Sequence, residues 1–466
     1  MANTYLTRTP SGAGNKQKFT FSVWIKKQYR ETGTNRRIIS SYFSNGGRHA
    51  FLAFGQDEQL YAFSGNYTSG SSTTDSYRLN SSMLFRDPNA WYHIVYRVDT
   101  TQGTAADRIR CYVNGELLAW DTSHSDHLYP SQDDENYLNS DYPIQINALN
   151  GNGIMDCCMS HIHFCDGYSY DASSFGETDS TTGEWKIKTA PSVSYGTNGF
   201  FILKDDNSVT DQSGNSNNFT VAAGTLTKTE DNPSNVFATL NPLFKANGQA
   251  TTFSNGNTTG QSPTSDGCAG TSTFGVNTGK YYAEFKQVTE TSSGEGAVGI
   301  CDTYYITRNP GLGGGSSPGY LEYSVSCFGY RNNNGDQFYS SGGSKYNSSN
   351  NHAGWSSGDI IMVGLDMDNN RLYLGKNGQW NSSNTWSSST PSQYITIDST
   401  GFEGNYHFAI GDSSGGNRVT WNANFGNGYF GTTAVSSAGT NASGNGIFEY
   451  DVPTGFTALS TKGLNL

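Results

Sequence analysis

Trp91–Val98 reads W-Y-H-I-V-Y-R-V, and after a polar stretch Ile109–Ala119 reads I-R-C-Y-V-N-G-E-L-L-A. Asn114-Gly115 sits between two apolar runs. This is the strongest short-range hairpin signal, because both residues tolerate the positive φ that a two-residue turn demands. Working outward, Phe19–Lys26 reads F-T-F-S-V-W-I-K, which puts Phe19, Phe21, Val23 and Ile25 on one face of a strand. Met159–Phe164 alternates in the same way. The second half repeats the style at Tyr281–Val288, Ala297–Cys301, Asp359–Asp366, Arg371–Gly375, Tyr406–Gly411 and Val419–Phe425. Convincing helical periodicity is absent. Short strands at this spacing, with turn residues between them, predict an all-β chain: two antiparallel β-sandwich (jelly-roll-like) domains joined by a loop-rich connector.

Composition narrows the functional classes. Lys plus Arg number 28 and Asp plus Glu 40, so the 466-residue chain carries a formal charge of −12. An acidic chain without basic clusters makes a poor nucleic-acid binder. Aromatic residues make up 13%, which excludes a disordered chain. No stretch of about 18 apolar residues exists, so no membrane insertion is expected. Met1–Gly14 is polar, and no secretory signal is expected from it. The seven cysteines contain no C-x-x-C pair; they read as reduced thiols filling apolar space, as in a reducing compartment.

The expected organisation is a first sandwich over 1–189, a connector over 190–250, a second sandwich over 251–430 and a C-terminal extension with a closing strand over 431–466. Phe200, Phe201, Phe237 and Phe244 argue that the connector packs on both halves. Trp24, Trp91 and Trp355, in or beside strands, read as core. His161 and His163, two apart on one strand, would share a face and could ligate a metal; no third ligand is evident, so a structural role is favoured.

The first half resembles the laminin G-like, or concanavalin A-like, sandwich family. Asn89–Asp99 (N-A-W-Y-H-I-V-Y-R-V-D), the Tyr-Val-Asn-Gly at 112–115, the opening Phe19–Lys26 and Ser160–Gly167 (S-H-I-H-F-C-D-G) fall in that family's order, over about Asn3–Trp185. The resemblance implies a module that binds sugars, proteins or a rim calcium ion. Glycanase relatives carry a Glu-x-Asp-x-x-Glu constellation, which this chain lacks, so a polysaccharide depolymerase is the weakest reading. Asp133-Asp134-Glu135 reads as a solvated loop. A calcium at the rim, held by Asp121, Asp126 or Asp133, is the alternative; no other cofactor is expected.

The second half resembles the SPRY family. Ser357–Trp380 (S-G-D-I-I-M-V-G-L-D-M-D-N-N-R-L-Y-L-G-K-N-G-Q-W) carries the signature, supported by Gly279–Phe285, Ala297–Ile300, Tyr406–Gly411 and Asn424-Phe425-Gly426, over about Thr252–Gly428. The resemblance implies a binding module that uses loops at one end. The candidate loops are Thr303–Gly319, with Tyr304, Tyr305 and Arg308, and Arg331–Ser349, with Tyr339 and Tyr346. Tyr and Arg are favoured contact residues; the alternative is that the tyrosines cover the loop bases. Trp380 and Trp386 follow the Asn377-Gly378 turn in a Ser/Asn-rich stretch and read as exposed ligand-binding residues.

Ala2–Ser11, Ser174–Asp179, Phe237–Leu243 and Val452–Leu459 resemble segments of virion proteins from marine tailed bacteriophages that join a concanavalin A-like domain to a SPRY domain. That resemblance implies a non-enzymatic virion protein, assembled in the host cytoplasm as a fiber or capsid decoration. Its expected partners are other virion proteins and host-surface glycan or protein. A homo-oligomer is expected, a trimer favoured, because multivalency strengthens weak sites. The alternative is a purely structural protein whose sandwiches contact only other virion subunits.

Overall fold

The computed structural model describes residues 3–465, apart from 28–32, 44–46, 69–70, 205, 207, 245–250, 263–269, 291–295, 303–320, 322–326, 333–335, 342–343, 349–353, 399–403 and 413–418; at 67–68, 71–74, 340–341 and 344–348 it describes the backbone alone. The chain forms two compact units, Met1–Lys228 and Thr229–Leu466. Both are antiparallel β-sandwiches. Among the described residues no helix is long and apolar enough to cross a membrane.

In the first unit the strands run β1 Tyr5–Arg8, β2 Lys18–Lys27, β3 Arg36–Phe43, β4 Arg48–Phe54, β5 Gln59–Thr68, β6 Ser71–Leu84, β7 Tyr92–Asp99, β8 Ile109–Val113, β9 Glu116–Leu117, β10 Ile144–Ile146, β11 Cys157–Asp166, β12 Gly176–Thr178, β13 Trp185–Ile187, β14 Phe200–Ile202 and β15 Thr220–Ala223. One sheet has seven strands in the order β15-β1-β10-β3-β4-β5-β6, the other six in the order β14-β11-β2-β7-β8-β9. The predicted alternation of β2 is what fills the space between them: Phe19, Phe21, Val23 and Ile25 are fully enclosed, each contributing about 2 kcal/mol of apolar burial. The Asn114-Gly115 turn forms as expected, with φ of 49° and 89°, and Val113 pairs with Glu116 across it.

The opposite face of the six-stranded sheet is covered by the chain itself. The Thr20 hydroxyl donates to the Tyr168 carbonyl at 2.9 Å, and the Tyr170 N–H donates back to Thr20 at 2.8 Å. Ala172 and Phe175 pack on Val95, Tyr112 and Cys165, with Trp185 and Tyr195 beside them.

The second unit is also a sandwich. Val419–Asn424, Lys280–Glu290, Ile360–Asp366 and Arg371–Lys376 are neighbours in one sheet; Tyr406–Asp412, Gly296–Asp302, Cys327–Arg331, Gln337–Ser341 and Ser344–Ser348 follow one another in the other. Phe285, Val298, Ile300, Ile361, Val363, Leu365 and Phe408 lie between them. Residues 431–466 are more than an extension. Thr457–Ala458 pairs in parallel with Tyr281 and Tyr282, and Phe448, Val452 and Phe456 close over Tyr282, Met362 and Trp380. Glu284 anchors this cover: its buried carboxylate accepts from Tyr282 Oη, Asn424 Nδ2 and the backbone N–H groups of Glu449 and Tyr450.

The stretch 190–250 divides between the units instead of standing as a connector. Phe200–Ile202 and Thr220–Ala223 are edge strands of the two first-unit sheets, whereas Phe237, Leu240 and Phe244 are buried in the second unit. No disulfide joins the six described cysteines, Cys111, Cys157, Cys158, Cys165, Cys301 and Cys327.

Candidate functional site

The alternation that fills the first core also decides what the other face of the seven-stranded sheet presents. In β4, Ala50, Leu52 and Phe54 point inward, so His49, Phe51 and Ala53 point outward. In β5, Leu60 and Ala62 are core, which sends Tyr61 and Phe63 outward. The register places Phe51 opposite Phe63 and Ala53 opposite Tyr61. On the flanks, Arg37 of β3 pairs with Ala53, and Arg78 of β6 pairs with Phe63. Two strands with large apolar residues on both faces are unusual for an antiparallel sheet with one wet side.

These side chains line a groove of about 540 Å³, within the range of small-ligand sites. Phe51 and Phe63 form its floor, stacked with centroids 5.2 Å apart. His49 stacks on Phe63 at 5.0 Å, and Tyr61 meets Phe51 edge-on at 5.1 Å. The Arg37 guanidinium lies 3.8 Å from the Phe51 centroid, and that of Arg78 lies 5.5 Å from the Phe63 centroid. Tyr42, His49 and Tyr61 remain half-exposed and supply open ring surface to the walls. Burial lowers the His49 pKa, so its ring is neutral, with Nδ1–H donating to the Gly47 carbonyl at 2.8 Å.

The two arginines differ in pairing. Arg78 is held by Asp75 at 2.7 Å and Asp126 at 2.9 Å. Arg37 Nε and Nη1 are enclosed and donate to nothing among the described residues, and burial brings the Arg37 pKa down to about 10. Sequence reading missed this site. The signal available was the second aromatic set, His49/Phe51 and Tyr61/Phe63, interleaved with the core set.

The residues expected to bind ligand fare differently. Trp380 is not exposed: it is 2% accessible. The Asn377-Gly378 turn forms, with φ of 48° and 86°, and folds Trp380 back opposite Gly375, where it packs over Gly364 beneath Phe456 and Phe448. Trp386 is half-buried against the second core, as is Tyr339. Tyr346 pairs with Tyr339 in a hairpin. Tyr304, Tyr305 and Arg308 lie outside the described residues. Trp24, Trp91 and Trp355 are buried, at 4%, 8% and 5%.

Other chemistry-bearing groups are engaged elsewhere. The Trp185 indole N–H donates to His93 Nδ1 at 2.9 Å. An indole nitrogen only donates, so the His93 proton sits on Nε2 and is donated to Ser22 Oγ, 2.9 Å away. A histidine in that tautomer cannot take the Ser22 proton, and the pair is no nucleophilic dyad. His161 falls at a β-bulge, where the register shifts between Ser160 and His163 and φ is 50°, so strict alternation fails there. Both rings rest on Phe201. Asp121 accepts from Ser123, whose N–H and hydroxyl donate to it, and Asp126 is spent on Arg78. Among the described residues no group of three or more His, Cys, Asp or Glu side chains could hold a metal ion.

A family model described as the concanavalin A-like lectin/glucanases superfamily matches residues 2–157, the stretch that carries the groove. Among solved structures the chain is similar to the SPRY domain of human HERC1, with 17% identity, 40% of this chain and 96% of that one covered and a TM-score of 0.29. It is similar to the TRIM65 PSpry domain at 11% identity, covering 40% and 91%, with a TM-score of 0.26. It is also similar to a heptameric SAP-like pentraxin from Limulus polyphemus at 14% identity, covering 48% and 90%, with a TM-score of 0.28. No curated protein matches the chain.

Proposed function

We propose that this chain is a non-enzymatic binding protein whose first sandwich holds a sugar segment in the groove above Phe51 and Phe63, and that it serves on the surface of a tailed-phage particle as a fiber or capsid decoration. The groove carries the reading: half-exposed aromatic rings offer apolar faces to sugar C–H groups, while Arg37 and Arg78 at its sides offer donors to hydroxyls. A binding role without catalysis accords with the placement of the nearby carboxylates, because Asp75 and Asp126 both sit on Arg78 and, among the described residues, no carboxylate lines the groove, where glycoside hydrolysis requires a pair. The virion role rests on the resemblance of Ala2–Ser11, Ser174–Asp179, Phe237–Leu243 and Val452–Leu459. It would be exercised as a homo-oligomer, a trimer favoured, with other virion proteins and host glycan as partners, no nucleic-acid partner and no resident cofactor.

The test is a glycan array followed by titration calorimetry on the full chain and on Tyr61→Ala. Binding by the native protein, lost in a Tyr61→Ala variant that melts normally, supports the reading. Failure to bind any glycan, with the groove buried against a neighbouring subunit in the imaged particle, replaces it with the purely structural role.

A further inference from the structure

The charge left over in the groove says which sugars it takes, an inference that rests on the sugar-binding reading. Five arginines, Arg78, Arg86, Arg97, Arg110 and Arg331, each sit on a carboxylate, and Arg108 donates to three backbone carbonyls. Arg37 has neither. It rests on the Phe51 ring, its Nε and Nη1 are enclosed without an acceptor, and its backbone is fixed by a bond from Arg37 N–H to the Gly153 carbonyl at 2.8 Å. A half-buried cation without a counter-charge among the described residues costs stability unless something supplies one. A ring contact offsets part of that cost and leaves the guanidinium charge unneutralised.

We propose that the groove binds a uronate, a sugar residue bearing one carboxylate, within an acidic polysaccharide: the carboxylate meets the Arg37 guanidinium and the sugar ring lies against Tyr61. The rest of the rim narrows the class. Asp75 and Asp126 hold Arg78 and act electrostatically on Tyr61, so they repel a second negative charge. A sugar with one carboxylate and several hydroxyls meets both sides of the groove; a phosphate or a sulfate cluster meets only one.

Calorimetry on the full chain with galacturonate, mannuronate and glucuronate oligomers, each beside its carboxyl-reduced counterpart, tests this. The expected result is at least tenfold tighter binding of one uronate form than of its reduced form, weakening as salt rises from 20 to 200 mM. Arg37→Met should erase that preference while melting at or above the native temperature, since it removes an unpaired charge; Arg37→Lys should keep only part of it. Equal affinity for acid and reduced forms overturns the uronate assignment and leaves sugar binding standing. Binding of neither form overturns the uronate assignment, and if the glycan array is also blank it overturns sugar binding as well. Arg37→Met protein that is folded and still prefers the acid, or that melts far below the native chain, overturns the role given to Arg37.

Discussion

Glu284 and Tyr450 stand 166 residues apart in the chain and one hydrogen bond apart in space, the Tyr450 N–H donating to Glu284 Oε1 at 2.8 Å. With the Glu449 N–H on Oε2 at 2.9 Å, the carboxylate ties the C-terminal cover to the second sandwich. Glu284→Gln would turn an amide –NH2, with two hydrogens in place of the single O–H of the protonated acid, toward two donors, leaving one more buried group unmatched. The expected cost to the second unit is about 2–3 kcal/mol at pH 5, read by chemical denaturation. Burial raises the Glu284 pKa from 4.5 to about 7, against the four donors that lower it. A folded pKa above the unfolded one gives stabilisation that is complete below pH 4.5 and lost as pH rises through 7. The gap between native chain and variant should therefore narrow from pH 5 to pH 8; a gap that widens contradicts the assignment.

The first unit should respond to acid in the opposite sense through its histidines. Burial brings the His93 pKa from 6.5 down to about 3 and lowers His163 as well. A histidine held neutral when folded charges freely when unfolded, so its stabilisation is present above pH 6.5 and falls away as pH drops toward 3. His93 alone should cost the first unit on the order of 3 kcal/mol between pH 7 and pH 4. Nuclear magnetic resonance titration of the His93 ring checks this directly: no charging above pH 4 is expected.

Gly115→Ala should strain the first hairpin twice. Its φ is 89°, and a Cβ there would come within 2.7 Å of the Trp185 ring. A loss of about 1–2 kcal/mol is expected from the backbone alone, together with a shifted Trp fluorescence spectrum as Trp185 leaves His93. An unchanged spectrum would place Trp185 elsewhere.

Trp380→Ala and Trp386→Ala separate core from surface. Trp380 fills the space between Tyr282, Met362 and Phe456, so its removal should cost about 3–5 kcal/mol. Trp386, half-buried, should cost less than half as much. Equal costs would mean that the C-terminal cover does not close over Trp380.

The same contrast marks what sequence can disclose. Period-two alternation maps one residue to one face, so Phe19, Phe21, Val23 and Ile25 were legible as core, as were the two Asn-Gly hairpins. Trp380 was not, because what hides it comes from Phe448 to Phe456, far along the chain. The groove escaped for a similar reason. Which outward face stays open depends on residues 168–195 covering the six-stranded sheet and leaving the seven-stranded one, a choice no local pattern records.

The pairing of the first unit's ends bears on its synthesis. Thr4 and Thr225, 221 residues apart, exchange hydrogen bonds where β1 meets β15, and the seven-stranded sheet has no outer strand on that side until β15 exists. At about 5–20 residues per second of translation, β1 leaves the ribosome roughly 10–45 seconds before that partner. Once β10 has paired with β1, the nascent chain carries β1 as the edge of the sheet until β15 arrives, and termination in that interval would release a fragment whose edge strand is not the native one.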